Sequence, residues 1–514
     1  MEFFEMTYGF LLGTPWWLGL IVGIVLVVSL GFLGAPLWLW TALIALTLWG
    51  IAAPAWAWVV FGVVAILFNV RPIRRSLISR PLMNMIQRLK LLPSISQTQR
   101  DAIEAGSVWV EGEFFSGRPD FKLLQSVYYV DLTEEEQAFL DGPVERLCEM
   151  TDDWQIHLDR NLPEEVWEFL KEERFWGLIV PRAYGGREFS PAAHSAVIAK
   201  LATRSVPLAV TVMVPNSLGP AELLLHYGTV EQKDHYLSRL ARAEEIPCFA
   251  LTEPRAGSDA VAITSSGEVF EGDDRELYLR LNWEKRYITL AARATLLGLA
   301  IQLRDPENHL GLGEEVGITC ALIPADTPGV VLGHRHDPLG IPFINSPTQG
   351  YDVVVPIDSI IGGPEQAGKG WRMLTESLAE GRGVSLPAQS AGSAKYVARV
   401  VGAYAAVRQQ FGLPIGRFEG IEEPLARIGG LTYILEAVRN YTVSGVTSMG
   451  KPAVVSAIAK YMSTEMMREV VNDGMDIVAG KGICMGPNNF LARAYQQSPI
   501  AITVEGANIM TRCL

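Results

Sequence analysis

Charge is missing from a long N-terminal stretch: no aspartate, glutamate, lysine, arginine or histidine lies between Met6 and Val70. A run of that length has room for two or three membrane spans of about 20 residues. It is too long for a signal peptide and lacks the basic residues that precede one; a buried core hairpin is the other alternative. Breaks at Gly34–Pro36 and at Pro54 make 16–33 the clearest span and leave 37–70 as one long tilted helix or two short ones.

Acidic residues are missing from the segment that follows. The positive-inside rule places such a segment, and the chain after it, in the cytoplasm, and the same cations can bind anionic headgroups. The sequence therefore predicts a transmembrane anchor over residues 1–70 and a basic connector over 71–132. The basic residues are Arg71, Arg74, Arg75, Arg80, Arg88, Lys90 and Arg100.

Several classes of site are excluded by what the 514 residues lack. The five cysteines contain no CxxC pair, which indicates reduced thiols and no metal site. The net charge of −13 leaves no broad basic face for nucleic acid. No GxGxxG follows a strand and opens a helix, so a Rossmann cofactor site is not supported.

Two strand-and-turn motifs stand near the middle of the chain. Residues 248–259 predict a short apolar strand that enters a turn of Pro, Gly, Ser and Asp. The backbone N–H groups of such a turn, with the hydroxyls of Thr252 and Ser258, can hold a polar ligand, and Gly257 permits close approach. A second strand-like run, 285–289, ends in Tyr-Ile-Thr. Taken alone, each is more typical of an ordinary turn than of a ligand site.

Sequence periodicity divides the rest of the chain into three parts. Residues 133–245 are predicted to be helical, with Thr133 and Thr229 as helix N-caps. Short apolar runs separated by Gly, Pro and Asp predict a β domain over 246–365. Helical spacing of apolar residues returns over 366–514.

Together these motifs resemble the acyl-CoA dehydrogenase family. There the first motif ends in Thr-Glu-Pro-x-Ala-Gly-Ser-Asp and the second usually in Trp-Ile-Thr; residues 181–186 and 228–233 are also similar to family segments. The resemblance covers about residues 135–514 and is greatest to the membrane-associated long-chain enzyme of bacterial fatty-acid β-oxidation. It implies an α+β fold with an N-terminal helical domain, a central flavin-binding β domain and a C-terminal helical bundle. Here the anchor precedes these domains, and the resemblance implies that it lies in a bacterial inner membrane.

The resemblance also implies FAD as the cofactor. Arg408 and Phe411 are assigned to a pyrophosphate contact across a dimer, a role that suits the bidentate guanidinium fork; a solvated helix charge is the alternative for Arg408. Ser258, Arg382 and Gly506 are assigned to the acyl-CoA site. The remaining flavin-site residues are Phe249, Leu251, Thr252, Ser258, Tyr287, Ile288, Thr289 and Gly480.

The resemblance implies that Glu505 is the catalytic base, because the family's base also stands in a Glu-Gly pair after an apolar segment. Glu505 follows an apolar run, and Gly506 behind it permits a sharp bend. Burial between apolar walls raises the pKa of a carboxyl toward working pH, which suits abstraction of a weakly acidic α-proton. A helix N-terminal glutamate is the alternative. Some family members carry the base on an earlier helix, one residue before an arginine. In this chain that position is Gly381, which has no side chain that could act as a base. Glu380 is one residue away, which turns its side chain about 100° around the helix axis.

The sequence departs from the family at several positions. Tyr287 replaces Trp, Asp476 and Ala479 stand where many members have Gln and Gly, and Ala507 replaces a Thr near the adenine. The family continues beyond the position of Leu514, so a truncated and impaired enzyme is one expectation.

The resemblance predicts α,β-dehydrogenation of fatty acyl-CoA to trans-2-enoyl-CoA. Electrons would pass to an electron-transferring flavoprotein or a membrane acceptor, from a homodimer or homotetramer in contact with lipid. An acyl-CoA oxidase is a variant within this class. The alternative is a non-catalytic, membrane-tethered acyl-CoA-binding or assembly subunit.

Overall fold

The computed structural model describes residues 15–89, 91, 107–217, 219–449 and 452–513. The chain divides into two compact units, Met1–Ser96 and Gln97–Leu514. The start of the charge-free run and two cations of the basic cluster, Lys90 and Arg100, lie outside the described residues.

The described residues of the first unit form three apolar helices: α1 (Trp16–Phe32), α2 (Leu37–Gly50) and α3 (Ala55–Asn69). The last two each begin directly after a proline, a residue that cannot extend the preceding helix. Residues 37–70 are therefore two short helices, the second of the two predicted alternatives. Next come α4 (Arg71–Arg74), a π-helical turn (Arg75–Ser79) and α5 (Arg80–Arg88).

In the part of the chain that the structure describes, one helix is long and apolar enough to cross a membrane by length and composition, Val206–Tyr227, or two if α3 and the helix bent by 81° behind it count as one span. The most apolar window of Val206–Tyr227 is 88% buried, as in a core helix. Helices α1 to α3 have 17, 14 and 15 residues, which is short of the usual span of about 20. The predicted anchor is therefore not confirmed.

The second unit begins with short helices and the N-terminal helical domain. Both predicted N-caps are confirmed, and both are complete capping boxes: Thr133 with Glu136 and Thr229 with Gln232. The α-helices are α6 (Glu111–Phe115), α7 (Phe121–Gln125), α8 (Glu134–Phe139), α9 (Glu145–Met150), α10 (Asp153–Asp159), α11 (Glu164–Glu172), α12 (Pro191–Ala202), α13 (Val206–Met213), α14 (Pro220–Tyr227) and α15 (Val230–Ala241).

A seven-stranded sheet forms the middle of the second unit. Strand β4 pairs in parallel with β1 and β2 and antiparallel with β5, while β2, β3, β7 and β6 follow in antiparallel order. One buried apolar cluster joins this sheet to the N-terminal helices. The strands are β1 (Pro247–Ala250), β2 (Ser266–Glu271), β3 (Leu277–Thr289), β4 (Leu296–Arg304), β5 (Glu315–Pro324), β6 (Val330–Leu332) and β7 (Asn345–Pro356).

The C-terminal part is a bundle around the 38-residue helix α16 (Gly370–Val407). A second apolar cluster lies where α16, α17 and α18 pack together. A two-stranded hairpin, β8 (Gln409–Gln410) and β9 (Leu413–Pro414), follows α16. The other helices are α17 (Glu419–Met449), α18 (Ala453–Val478), α19 (Gly480–Ile483), α20 (Ala492–Thr503) and α21 (Asn508–Thr511).

Candidate active site

The two predicted flavin motifs meet where the chain leaves β1. The backbone N–H of Arg286 donates to the carbonyl of Thr252 at 3.0 Å, so Leu251 and Thr252 lie beside the 287–289 segment. Phe249 is buried against β4, where a Cβ added to Gly298 would come within 2.5 Å of its ring. The glycine therefore makes room for the aromatic ring of the first motif.

A buried ion pair joins these motifs. Lys285 Nζ donates to Glu253 Oε1 at 2.7 Å, to the carbonyl of Leu251 at 3.1 Å and to that of Ala300 at 2.8 Å. Burial opposes ionisation of Glu253, but its hydrogen bonds, led by that from Lys285, lower its pKa to about 2. This pair was not predicted from the sequence. The available signal was the alternation of buried and exposed positions along β3, in which Lys285 occupies a buried position.

A β-bulge shapes the end of β3. The register with β7 shifts between Lys285 and Ile288, and Tyr287 takes a left-handed φ of 62°. Its side chain is 61% exposed, with its ring 5.1 Å from that of His336. The bulge turns Tyr287 outward and buries Ile288. Ser258 is exposed in the turn after the first motif.

Glu505 lies in a tight bend between α20 and α21. Its φ is 53° and that of Gly506 is 90°; for a non-glycine residue the left-handed conformation costs about 1 kcal/mol. Atom Oε2 is shielded from solvent and has no hydrogen-bond partner among the described residues. Burial raises the pKa of Glu505, although the charges of Arg382 and Lys460 act in the opposite direction. A shielded, unpartnered carboxylate oxygen can accept a proton.

Arg382 of α16 lies beside this bend. A Cβ added to Gly506 would be 3.3 Å from Arg382 Nη2, so the structure brings Glu505, Gly506 and Arg382 together. Burial lowers the pKa of Arg382, and the charge of Glu505 opposes that shift. Its Nε is buried without a partner among the described residues.

Position 381 is closed to a side chain. A Cβ added to Gly381 would lie 3.2 Å from Ser217 Cβ, tighter than most such contacts. This close approach is a physical reason for the base to be at 505 rather than 381. The side chain of Glu380, the predicted rival, lies outside the described residues.

The remaining predicted cofactor residues are elsewhere on the bundle. Arg408 follows α16 and is exposed, and Phe411 at the tip of the β8–β9 hairpin is 94% exposed with a φ of 52°. Gly480 begins α19 and follows Ala479, which has a φ of 54°. Within the described ranges, no hydrogen bond or ion pair joins these residues to the flavin motifs. A cavity of about 790 Å³ between residues 129–134, α12 and α17 contains none of the predicted site residues.

Comparison with protein-family models assigns three consecutive segments. Residues 133–244 match the acyl-CoA dehydrogenase N-terminal domain, 248–352 the middle domain and 368–513 the C-terminal domain. These segments coincide with the helical, sheet and bundle parts of the second unit.

Similar proteins are found among curated sequences and solved structures. The probable acyl-CoA dehydrogenase FadE10 of Mycobacterium bovis is 30% identical over 72% of this chain and 55% of its own. The bovine mitochondrial very long-chain specific acyl-CoA dehydrogenase is 29% identical over 74% and 57%. Thus the chain spans just over half the length of both relatives. Butyryl-CoA dehydrogenase from Megasphaera elsdenii superposes with a TM-score of 0.66 at 25% identity, over 75% of this chain and 98% of that one.

Proposed function

This chain belongs to the acyl-CoA dehydrogenase family, and on that premise we propose that it removes two hydrogens from fatty acyl-CoA thioesters to form trans-2-enoyl-CoA. The family consists of oxidoreductases with FAD as cofactor, as the sequence predicted. The step would be the first of fatty-acid β-oxidation, with long acyl chains as substrates. The observation that carries the proposal is the shielded, unpartnered carboxylate oxygen of Glu505 beside Arg382.

The described residues fit a bound flavin. Thr252 lies beside the 287–289 segment, so the hydroxyls of Thr252, Tyr287 and Thr289 belong to one region of the β domain. The guanidinium of Arg408 has no hydrogen bond or ion pair in the described part of the chain, which leaves its fork available for phosphate oxygens. FAD, when bound, would accept the hydride from the β-carbon. Glu505 would take the α-proton, and the apolar run before it would keep water from the carboxylate.

The visible spectrum of the purified protein, recorded with and without palmitoyl-CoA under anaerobic conditions, tests this function. A dehydrogenase should be yellow and should lose its flavin absorbance on adding the thioester. A colourless protein that still binds palmitoyl-CoA would support the non-catalytic subunit instead. Acceptor assays after bleaching would separate an electron-transferring flavoprotein, a membrane acceptor and oxygen.

The first unit supports membrane attachment of the whole chain. Helices α1 to α3 contain no charged residue, and large apolar side chains on them are exposed, Val28 by 63% and Val59 by 67%. Helices that are apolar on every side are typical of lipid or protein interiors. We therefore propose an inner-membrane anchor with the catalytic part facing the cytoplasm, because basic residues follow α3 directly.

The anchor predicts membrane fractionation that resists salt. The full chain should stay with membranes in about 1 M NaCl and should dissolve only in detergent. At that salt concentration charges are screened over about 3 Å, so attachment by surface charge alone would be lost. Deletion of residues 1–70 should give a soluble protein with unchanged flavin content. Release of the intact protein by salt alone would contradict the spans and leave only a peripheral attachment.

The hairpin predicts a cofactor contact between two copies. If Arg408 binds a neighbour's FAD, Arg408→Ala should weaken FAD retention by about 2 kcal/mol through loss of a charge-assisted hydrogen bond. FAD content after dialysis, measured beside oligomeric state, gives the result. Arg417→Ala, in the short 3-10 turn after β9, is the control. A stable monomer with full flavin occupancy would argue against the shared site.

A further inference from the structure

Lys460 of α18 is fully buried and contacts both sides of the bend that carries Glu505. Its Nζ donates to the carbonyl of Ile502 at 3.0 Å, to the carbonyl of Gly506 at 2.7 Å and to Asn508 Oδ1 at 2.6 Å. An ammonium has three N–H donors, and these contacts use all of them. The charge also lies at the C-terminal end of α20, where a cation is favourable.

A second connection lies one turn further along α18. Asn508 Nδ2 donates to Thr464 Oγ1 at 2.8 Å and to Glu465 Oε1 at 2.9 Å. Lys460 and Asn508 thus tie the 502–508 segment to two successive turns of the same helix.

This segment requires such support. Glu505 and Gly506 both have positive φ values, and a non-glycine residue keeps that conformation only where its surroundings impose it. The bonds of Lys460 begin before Glu505 and end after it. They therefore restrain the backbone on both sides of the unfavourable residue.

We propose that Lys460 is a positioning residue for the dehydrogenation step, holding the 502–508 segment in the one backbone conformation that directs Glu505 at the α-carbon. The inference rests on the proposed function. Three charged groups face Lys460: Arg382 from α16, Glu465 from its own helix and Glu505 from the bend. Burial lowers the pKa of Lys460 to about 8, so the ammonium persists at neutral pH.

Lys460 also has an electrostatic effect on the base. Its charge and that of Arg382 both favour the ionised form of Glu505, against the effect of burial. Loss of Lys460 should therefore raise the pKa of Glu505 further. Loss of a lysine whose charge does not act on Glu505 should leave that pKa unchanged.

Lys460→Met, which keeps the apolar stem and removes the ammonium, is the main test. FAD content and affinity for S-hexadecyl-CoA, a thioether without the reacting carbonyl, should remain near wild type. Flavin reduction by palmitoyl-CoA should slow by about 100-fold, the effect of roughly 1 Å of misplacement of the base. The pH at which the reduction rate rises, which reflects ionisation of Glu505, should move to a higher value. Lys395→Met, which removes an exposed lysine paired with Glu436 on α17, should alter neither.

A readout that does not require activity separates this inference from the proposed function. In Lys460→Met, amide hydrogen exchange over residues 502–508 should accelerate at least tenfold relative to the rest of the bundle. Asn508→Ala should give a smaller acceleration and serves if the lysine variant does not fold. Amide exchange over 502–508 that is unchanged from wild type in both Lys460→Met and Asn508→Ala would overturn the positioning role. Flavin reduction in Lys460→Met with the wild-type rate and the wild-type pH profile would also overturn it. A wild-type protein that no acyl-CoA bleaches would overturn the dehydrogenase function, and the exchange result would still decide whether Lys460 holds the bend.

Discussion

Glu505→Gln should slow flavin reduction by roughly three orders of magnitude while the protein keeps its yellow colour and its affinity for acyl-CoA. Glutamine has nearly the same shape as glutamate, but its neutral amide cannot accept the α-proton. The loss should therefore fall on the chemical step and leave binding unchanged. Stopped-flow bleaching with palmitoyl-CoA under anaerobic conditions measures that step directly.

The pH profile of wild-type reduction provides a second measure of the same residue. Glu505 acts as a base only when ionised, so the rate should rise with pH through the pKa of Glu505. Burial raises that pKa above the ordinary 4.5 of a glutamate, so the rise in the reduction rate should occur at a pH above 4.5. Glu505→Gln should lose this rise.

Glu380→Gln is the matched control because Glu380 is the nearest rival in sequence. It should change the rate of reduction little. Near-normal reduction in the Glu505 variant would remove Glu505 as the base, and collapse in the Glu380 variant alone would move the base to α16.

Lys285→Met should strongly destabilise the β domain. It would leave Glu253 buried and charged without its cation, and removal of one partner of a buried pair costs about 3–5 kcal/mol. Because the pair joins the two flavin motifs, FAD retention should fall with stability. Urea unfolding of the FAD-loaded protein, followed by flavin fluorescence, reports both effects.

A double variant separates the energy of the lost ion pair from the cost of leaving Glu253 charged and buried without a partner. Lys285→Met combined with Glu253→Gln removes both charges and should recover much of the stability. Arg280→Met is the control on the same strand, since its pair with Glu268 is about half exposed and 3.9 Å long; exposed pairs contribute less than about 1 kcal/mol. Equal losses in Lys285→Met and Arg280→Met would show that burial of the first pair has no energetic importance.

Local signals in the sequence predicted local structure well. The capping boxes at Thr133 and Thr229 depend on residues three apart, and both are present. Individual strands within the β domain carry weaker signals. Ser266–Glu271 contains only two strongly apolar residues, and pairing with β3 and β4 stabilises this strand, β2. Strand β7 begins at Asn345, before the apolar residues 353–355, because its pairing with β3 continues through polar residues.

The supporting residues of the site could not be predicted because their partners are distant in sequence. Lys285 meets Glu253 across 32 residues, and Lys460 meets Gly506 across 46. A lysine in a helix or strand is ordinarily solvated, and only packing reveals these two as buried. The predicted base and its neighbour Arg382 were accessible through motifs, whereas the residues that hold the motifs in place were not.

Helix α16 places Arg382 and Arg408 far apart. They are separated by 26 residues, about 39 Å at the helical rise, which is longer than one dinucleotide cofactor. If Arg408 binds a neighbour's FAD, as proposed, the hairpin of one copy serves a site other than the one beside its own Glu505. Under the proposed function, a defective hairpin in one copy disables the active site of its neighbour and leaves its own active site working. A defective base disables only its own active site, because the hairpin of that copy still completes the site of its neighbour. Two differently inactive copies, assembled into one dimer, should complement each other in trans and restore one working site of the two.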